Sequence, residues 1–145
     1  MQNNRTALIT GVTGQDGMYL SHYLLSLGYR VVGIKRRTSM PTDGRLRTLR
    51  GSPNFITVDG DVTDLASIQN AIRLFKPDEL YHLAAQSHVA FSWRYPIATS
   101  EITGLGTLNC LEAIKLEKPD CRFYFAGSSE QFGNTGHSRK MDIPF

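Results

Sequence analysis

The chain has 145 residues, 41% of them apolar and 20% charged, with a formal net charge of +3. That balance is expected of one soluble globular domain, and no apolar run approaches the length of a membrane span. Cys110 and Cys121 are too few for a disulfide framework. The scattered His22, His82, His88 and His137 lack metal-ligand spacing, so no metal site is expected. The start, Met-Gln-Asn-Asn-Arg-Thr, has no apolar stretch of a secretory signal, and a cytoplasmic location is expected.

In chain order, Thr6 to Thr10 forms a short apolar run suited to a buried strand. Leu20, Tyr23, Leu24 and Leu27 then repeat at the spacing of one helix face over residues 15 to 27, with Gly28 as the candidate cap. Strands are expected at "RVVGI" (30–34) and "NFITVD" (54–59). Leu65, Ile68, Ile72 and Phe75 mark a second helix that must stop before Pro77. "ELYHLAA" (79–85) is a fourth strand. Ile102, Leu105, Leu108 and Leu111 mark a longer helix ending before Pro119, and "RFYFAGSS" (122–129) is a fifth strand. Residues 130–145 are polar and glycine-rich, without a period. Strands alternating with helices predict an α/β fold with a parallel, doubly wound, Rossmann-type sheet in the order 3-2-1-4-5, covered on both faces.

Within that plan, "GVTGQDG" (11–17) joins the first strand to the first helix. Glycines there let a backbone come close to a pyrophosphate, and the helix start offers free N–H groups to receive it. The spacing is G-x-x-G-x-x-G, one residue longer in its first half than the common G-x-G-x-x-G. The second strand then ends in Lys35-Arg36-Arg37, where an NAD site usually has an acid. A guanidinium grips a 2′-phosphate that a carboxylate would repel, so the expected cofactor is NADP. Arg45, Arg47 and Arg50 lie beyond that position and suit a solvated loop. A nucleic-acid partner is not expected, because no matching motif accompanies the basic run. Asp61 follows the third strand and suits either an adenine contact or a turn. Leu83, Ala84 and Ala85 end the fourth strand with small residues against which a cofactor can lie.

Together, "TGVTGQDG", "IKRRTS", "DVTD", "DELYHLAAQSHV" and "GSSEQFG" resemble the extended short-chain dehydrogenase/reductase superfamily, and within it the GDP-mannose 4,6-dehydratases. The resemblance runs through almost the whole chain. It implies an NADP-dependent lyase that converts GDP-mannose, or a related GDP-sugar, to the 4-keto-6-deoxy product. Cofactor contacts are implied for Gly11, Thr13, Gly14, Gln15, Asp16 and Gly17. Arg36, Arg37, Thr38 and Ser39 would meet the 2′-phosphate, Asp61 and Val62 the adenine. Leu83, Ala84, Ala85 and Ser87 would lie along the dinucleotide. Ser128 and Glu130 stand at the family's catalytic Ser/Thr and Glu; read without the family, they suit an ordinary strand-end turn.

The sequence also departs from the pattern. Trp93 stands where many relatives have Phe, and Ala98 where some have Tyr. The family's Tyr-x-x-x-Lys pair is expected a few residues after "DIPF" (142–145), and no tyrosine of the chain has Lys four residues later. Residues 1–145 are therefore expected to be an incomplete NADP-binding Rossmann domain without the substrate-binding part. It would be inactive alone, in an enzyme expected to form a homo-oligomer away from membranes. The alternatives are a related NADP-dependent nucleotide-sugar reductase or epimerase, or a non-catalytic NADP-binding module.

Overall fold

Strands separated by helical stretches cannot close as tight hairpins; they pair in parallel through crossovers. The computed structural model describes residues 5–39 and 44–128. Its elements are β1 (Thr6–Thr10), α1 (Gln15–Ser26), β2 (Arg30–Lys35), β3 (Phe55–Asp59), α2 (Leu65–Phe75), β4 (Glu79–His82), α3 (Val89–Arg94), α4 (Pro96–Thr99), α5 (Gly106–Glu117) and β5 (Arg122–Phe125). The five strands form one parallel sheet in the order β3-β2-β1-β4-β5, as expected.

β1 is central, and its side chains alternate between two cores. Leu8 packs with Val32, Ile68, Ile72, Leu80 and Ile114 on the face covered by α2 and α5. Ala7 and Ile9 pack with Val12, Leu24, Tyr29 and Val31 on the face of α1. A strand buried on both faces needs apolar residues at every position, which is why Ala7-Leu8-Ile9 carries no alternation.

The helix ends follow local chemistry. Gly28, at φ +81, lies in the left-handed region that glycine enters without cost. There its N–H donates to Leu25 O and the Tyr29 N–H to Leu24 O, the paired bonds of a Schellman cap. α2 begins at Asp64, whose carboxylate accepts the Ala66 N–H at 3.0 Å. It ends at Lys76, held at φ 46 ahead of Pro77, which disfavours helical geometry in the residue before it.

Two expected strands are shorter in the structure. β4 stops at His82 rather than Ala85, because the Leu83 and Ala84 N–H groups both turn to the Thr10 hydroxyl, each at 3.2 Å. β5 stops at Phe125. It is a sheet edge, where Tyr124 has the Tyr81 ring beside it at 6.0 Å yet stays 55% exposed, so the expected cover on both faces does not reach it.

The larger correction concerns the long helix. Its apolar series ends on Leu105, Leu108 and Leu111, all of them largely exposed. The buried side of α5 is instead Gly106, Cys110, Ala113 and Ile114. A π-helical stretch, Ser100–Leu105, widens the turn before α5 and so rotates the faces of α5 itself. Small residues then set the approach: a Cβ on Gly106 would lie 2.9 Å from Val62 Cγ2. The helices α3 and α4 carry no clear period and were not expected from the sequence.

Ile114→Ala is expected to lower unfolding free energy by ~2–5 kcal/mol, the usual cost of truncating a buried aliphatic side chain. Leu111→Ser, on the outward side of the same helix, is expected to change it by about 0.5 kcal/mol or less. Urea unfolding followed by circular dichroism of the two variants checks which side of α5 is the core.

Candidate functional site

The turn after β1 is built from glycine because two pieces of backbone meet there. Gly11 has φ +70, and a Cβ on it would lie 2.8 Å from Ala84 N. A Cβ on Gly17 would lie 2.5 Å from Gly11 O and 2.7 Å from Val12 Cα. The Gly14 N–H donates to Gly11 O at 2.9 Å, closing the turn. Gly14 is also the N-cap of α1, and no side chain caps that end. The first-turn N–H groups of α1 are thus left to whatever enters beside them.

Beside this turn, at the carboxyl ends of the strands, lies a cleft of about 980 Å³. Gly11, Thr13 and Gly14 line it from the glycine turn, and Arg36 from the end of β2. Asp61 and Val62 line it from the segment after β3, and Leu83, Ala84, Ala85 and Ser87 from the segment after β4. Gln15, Asp16 and Gly17 line an adjoining hollow of about 220 Å³. Arg37, Thr38, Ser39 and Ser128 are exposed and do not line the cleft. Glu130 lies outside the described residues.

The cations at the end of β2 divide by function. Lys35 faces Asp59 across β2 and β3 at 3.2 Å and is tied up as a structural pair. Arg36 lines the cleft with no ion-pair partner among the described residues. Arg45 is nearer the turn than a solvated loop charge would be: its Nη1 donates to Thr13 O at 3.4 Å. Asp61 serves as a turn residue while lining the cleft, because its Oδ1 accepts the N–H (3.0 Å) and the hydroxyl (2.8 Å) of Thr63. His88 lines the cleft too, with its Nδ1 accepting the Phe91 N–H at the start of α3.

Sequence reasoning missed the far wall. Gln86, Tyr95, Glu101 and Ile102 line the cleft. Gln86 is a clamp: its Oε1 accepts the His88 N–H at 2.7 Å, and its Nε2 donates to His88 O and to Thr99 Oγ1. Pro96 at the start of α4 was the available signal that a helix begins there.

Behind the Leu83–Ala84 floor sits His82, 1% exposed. Its Nδ1 is 2.7 Å from Thr10 Oγ1 and its Nε2 is 3.1 Å from Thr107 Oγ1. Burial lowers its pKa from the ordinary 6.5, since a charged ring there would lose its water. At the opposite end of the sheet, the buried Glu79 carboxylate accepts the Tyr29 and Tyr81 hydroxyls and pairs with Arg122. That cluster is remote from the cleft and holds strands together.

The family model described as GDP-mannose 4,6 dehydratase matches residues 8–142. GDP-mannose 4,6 dehydratase 1 of Arabidopsis thaliana is 40% identical over 97% of the chain, which covers 42% of that relative. GDP-mannose 4,6-dehydratase of Vibrio cholerae is 46% identical over 97% of the chain and 40% of its own length. The chain thus spans about two fifths of the curated relatives it matches. Among solved structures, the Bordetella bronchiseptica enzyme WbmH in complex with NAD⁺ superposes with a TM-score of 0.76 at 27% identity, over 98% of this chain and 46% of that one. No described helix is long and apolar enough to cross a membrane.

The burial of His82 makes stability depend on pH. Unfolding frees the ring to take a proton at its ordinary 6.5, which the folded chain resists. Its contribution is therefore present above pH 6.5 and lost as pH falls below it, by up to ~1.4 kcal/mol per pH unit. Denaturant midpoints at pH 7.5 and pH 5.5 are expected to differ in that direction, and His82→Phe is expected to reduce the difference.

Proposed function

The chain belongs to the GDP-mannose 4,6 dehydratase family, and from that membership we propose that it supplies the NADP(H)-binding part of an enzyme converting GDP-mannose to GDP-4-keto-6-deoxymannose. The observation that carries the reading is a single cleft onto which the glycine turn, the bare segment after β4 and Arg36 all face.

A dinucleotide fits these residues. The space beside Gly11 and Gly17 is too tight for any side chain, so main chain is what borders the hollow there. The uncapped start of α1 offers N–H donors and a partial positive charge to a pyrophosphate. Arg36 stands at the end of β2, where an acid would select NAD, and its fork of donors suits a 2′-phosphate. Arg37, Thr38 and Ser39 come next on the exposed strand-end segment and would complete that grip. Thr13, Gly14, Gln15 and Asp16 would border the pyrophosphate, Asp61 and Val62 the adenine, and Leu83 to Ala85 with Ser87 the rest of the dinucleotide.

When bound, the nicotinamide supplies a hydride acceptor for C4 of the sugar and a hydride donor for C6. The protein's own groups handle protons. A ketone at C4 acidifies the C5 hydrogen. Glu130, two residues past Ser128, takes that proton and supports departure of the C6 hydroxyl as water. Ser128 donates a hydrogen bond to O4.

Calorimetric titration of wild type and Arg36→Ala with NADP⁺ and NAD⁺ tests the cofactor. Wild type is expected to prefer NADP⁺. Loss of a charge-assisted hydrogen bond, ~1.5–3 kcal/mol, is expected to weaken NADP⁺ binding about ten- to a hundredfold while leaving NAD⁺ binding near its wild-type value. Equal wild-type affinities overturn the assignment.

In the complete enzyme, Glu130→Gln keeps shape and hydrogen bonding but loses the proton acceptor. Dehydration is expected to fall roughly 10²–10⁴-fold, with exchange of the C5 hydrogen into deuterated solvent slowing in parallel. Near wild-type turnover and exchange would leave Glu130 a solvated turn residue.

A further inference from the structure

Thr10 and His82 are register partners at the carboxyl ends of β1 and β4, and both are buried. A threonine hydroxyl has one proton to give and two lone pairs to accept with. Both lone pairs of Thr10 are taken, by the N–H groups of Leu83 and Ala84. Its proton therefore points at His82 Nδ1, 2.7 Å away, and Nδ1 carries none. The ring's single proton then sits on Nε2 and faces Thr107 Oγ1. Thr107 passes its own proton to Thr103 O at 2.6 Å, and the Thr103 hydroxyl accepts the Gln86 N–H at 3.2 Å.

From the floor of the cleft to its helical wall the bonds run in one direction, Leu83 and Ala84 to Thr10, Thr10 to His82, His82 to Thr107 and Thr107 to Thr103 O, with His82 as the joint; the Gln86 N–H meets the Thr103 hydroxyl from the other side. A second proton on the ring would face the proton of Thr10. That hydroxyl would have to turn away and release Leu83 or Ala84. Nothing beside the ring favours the charge. β5 contributes the rings of Phe123 and Phe125, with centroids 6.1 and 5.6 Å away. α5 contributes the Cys110 sulfur at 3.7 Å, a thiol that burial pushes up to about 12. No carboxylate or cation among the described residues perturbs the ring.

We propose that His82 is a positioning residue of the cleft: a neutral imidazole, protonated on Nε2, that ties the Leu83–Ala84 backbone to the helical wall at Thr107 and sets the surface on which a dinucleotide lies. This rests on the reading of the cleft as a dinucleotide site.

Two measurements test it. Long-range ¹H–¹⁵N spectra of histidine-labelled chain are expected to give His82 an unprotonated Nδ1 and a protonated Nε2 from pH 8 down to pH 6. An Nδ1–H tautomer, or a ring that titrates in that range, overturns the proposal. Calorimetry with NADP⁺ and thermal melts then compare His82→Phe with His82→Asn. Phe keeps the ring packing and leaves the Thr10 proton without an acceptor. Asn leaves a cavity but can offer Oδ1 where Nδ1 was. Melting temperature is expected to be higher for Phe, and affinity for NADP⁺ higher for Asn, with Phe about three- to tenfold weaker than wild type. Affinities that track the order of melting temperatures make His82 a packing residue and overturn the proposal alone. A wild-type chain that binds neither NADP⁺ nor NAD⁺ overturns the cleft reading, and the proposal with it. The wild-type spectrum decides the matter if either variant fails to fold.

Discussion

The meeting of two turns, after β1 and after β4, is the contact on which this architecture depends. Gly11 lies so close to Ala84 that no side chain fits between them. Gly17 repeats the condition six residues later, in the first turn of α1, against the oxygen of Gly11. With those two contacts made, the turn into α1 and the floor of the cleft are main chain, and glycine at the N-cap, Gly14, leaves the first N–H groups of α1 without a side-chain cap. Thr10 completes the joint from below by holding the two amides that leave β4. The other end of the sheet is held by different means. There a buried carboxylate, Glu79, gathers two tyrosine hydroxyls and two arginines, Arg5 and Arg122. One end is fastened by charge and the other by backbone proximity, and it is beside the second that the cleft opens.

Much of this plan was legible because each signal was local. A glycine at the end of α1 and a proline after α2 act within a few residues, and they mark ends that the structure keeps. Sheet order came from alternation of strands and helices, a rule about connections rather than contacts. The cleft-lining residues Gly11, Gly14, Arg36 and Ala84 were legible as strand ends in a parallel sheet, where ligands collect.

The wall beyond β4 was not legible, for reasons equally physical. α3 and α4 are too short to display a period. The π-helical turn adds a residue that breaks the register between Ile102 and Leu105. In α5 the leucine spacing points to a leucine core, because leucine is the usual core residue. The helix instead packs through Gly106, Cys110 and Ala113, where small size permits close approach. A spacing of small residues was present in the sequence and was outweighed by the larger apolar ones. Glutamine at position 86 looks like loop polarity until its partners, at His88 and Thr99, are brought near.

An all-parallel sheet also orders its own assembly. β1 and β2 pair across 24 residues, as Thr10 does with Ile34, whereas Thr10 and His82 are 72 apart. Closing a loop three times longer costs about 1 kcal/mol more in chain entropy. Chain entropy thus favours association of the strands β1 to β3 and α1 before β4 arrives, with the joint between Thr10 and His82 closing later. The two sides of the cleft come from these two stages. A molecule that spans them holds together segments that the chain brings together last, so its binding energy adds directly to the cohesion of the whole domain.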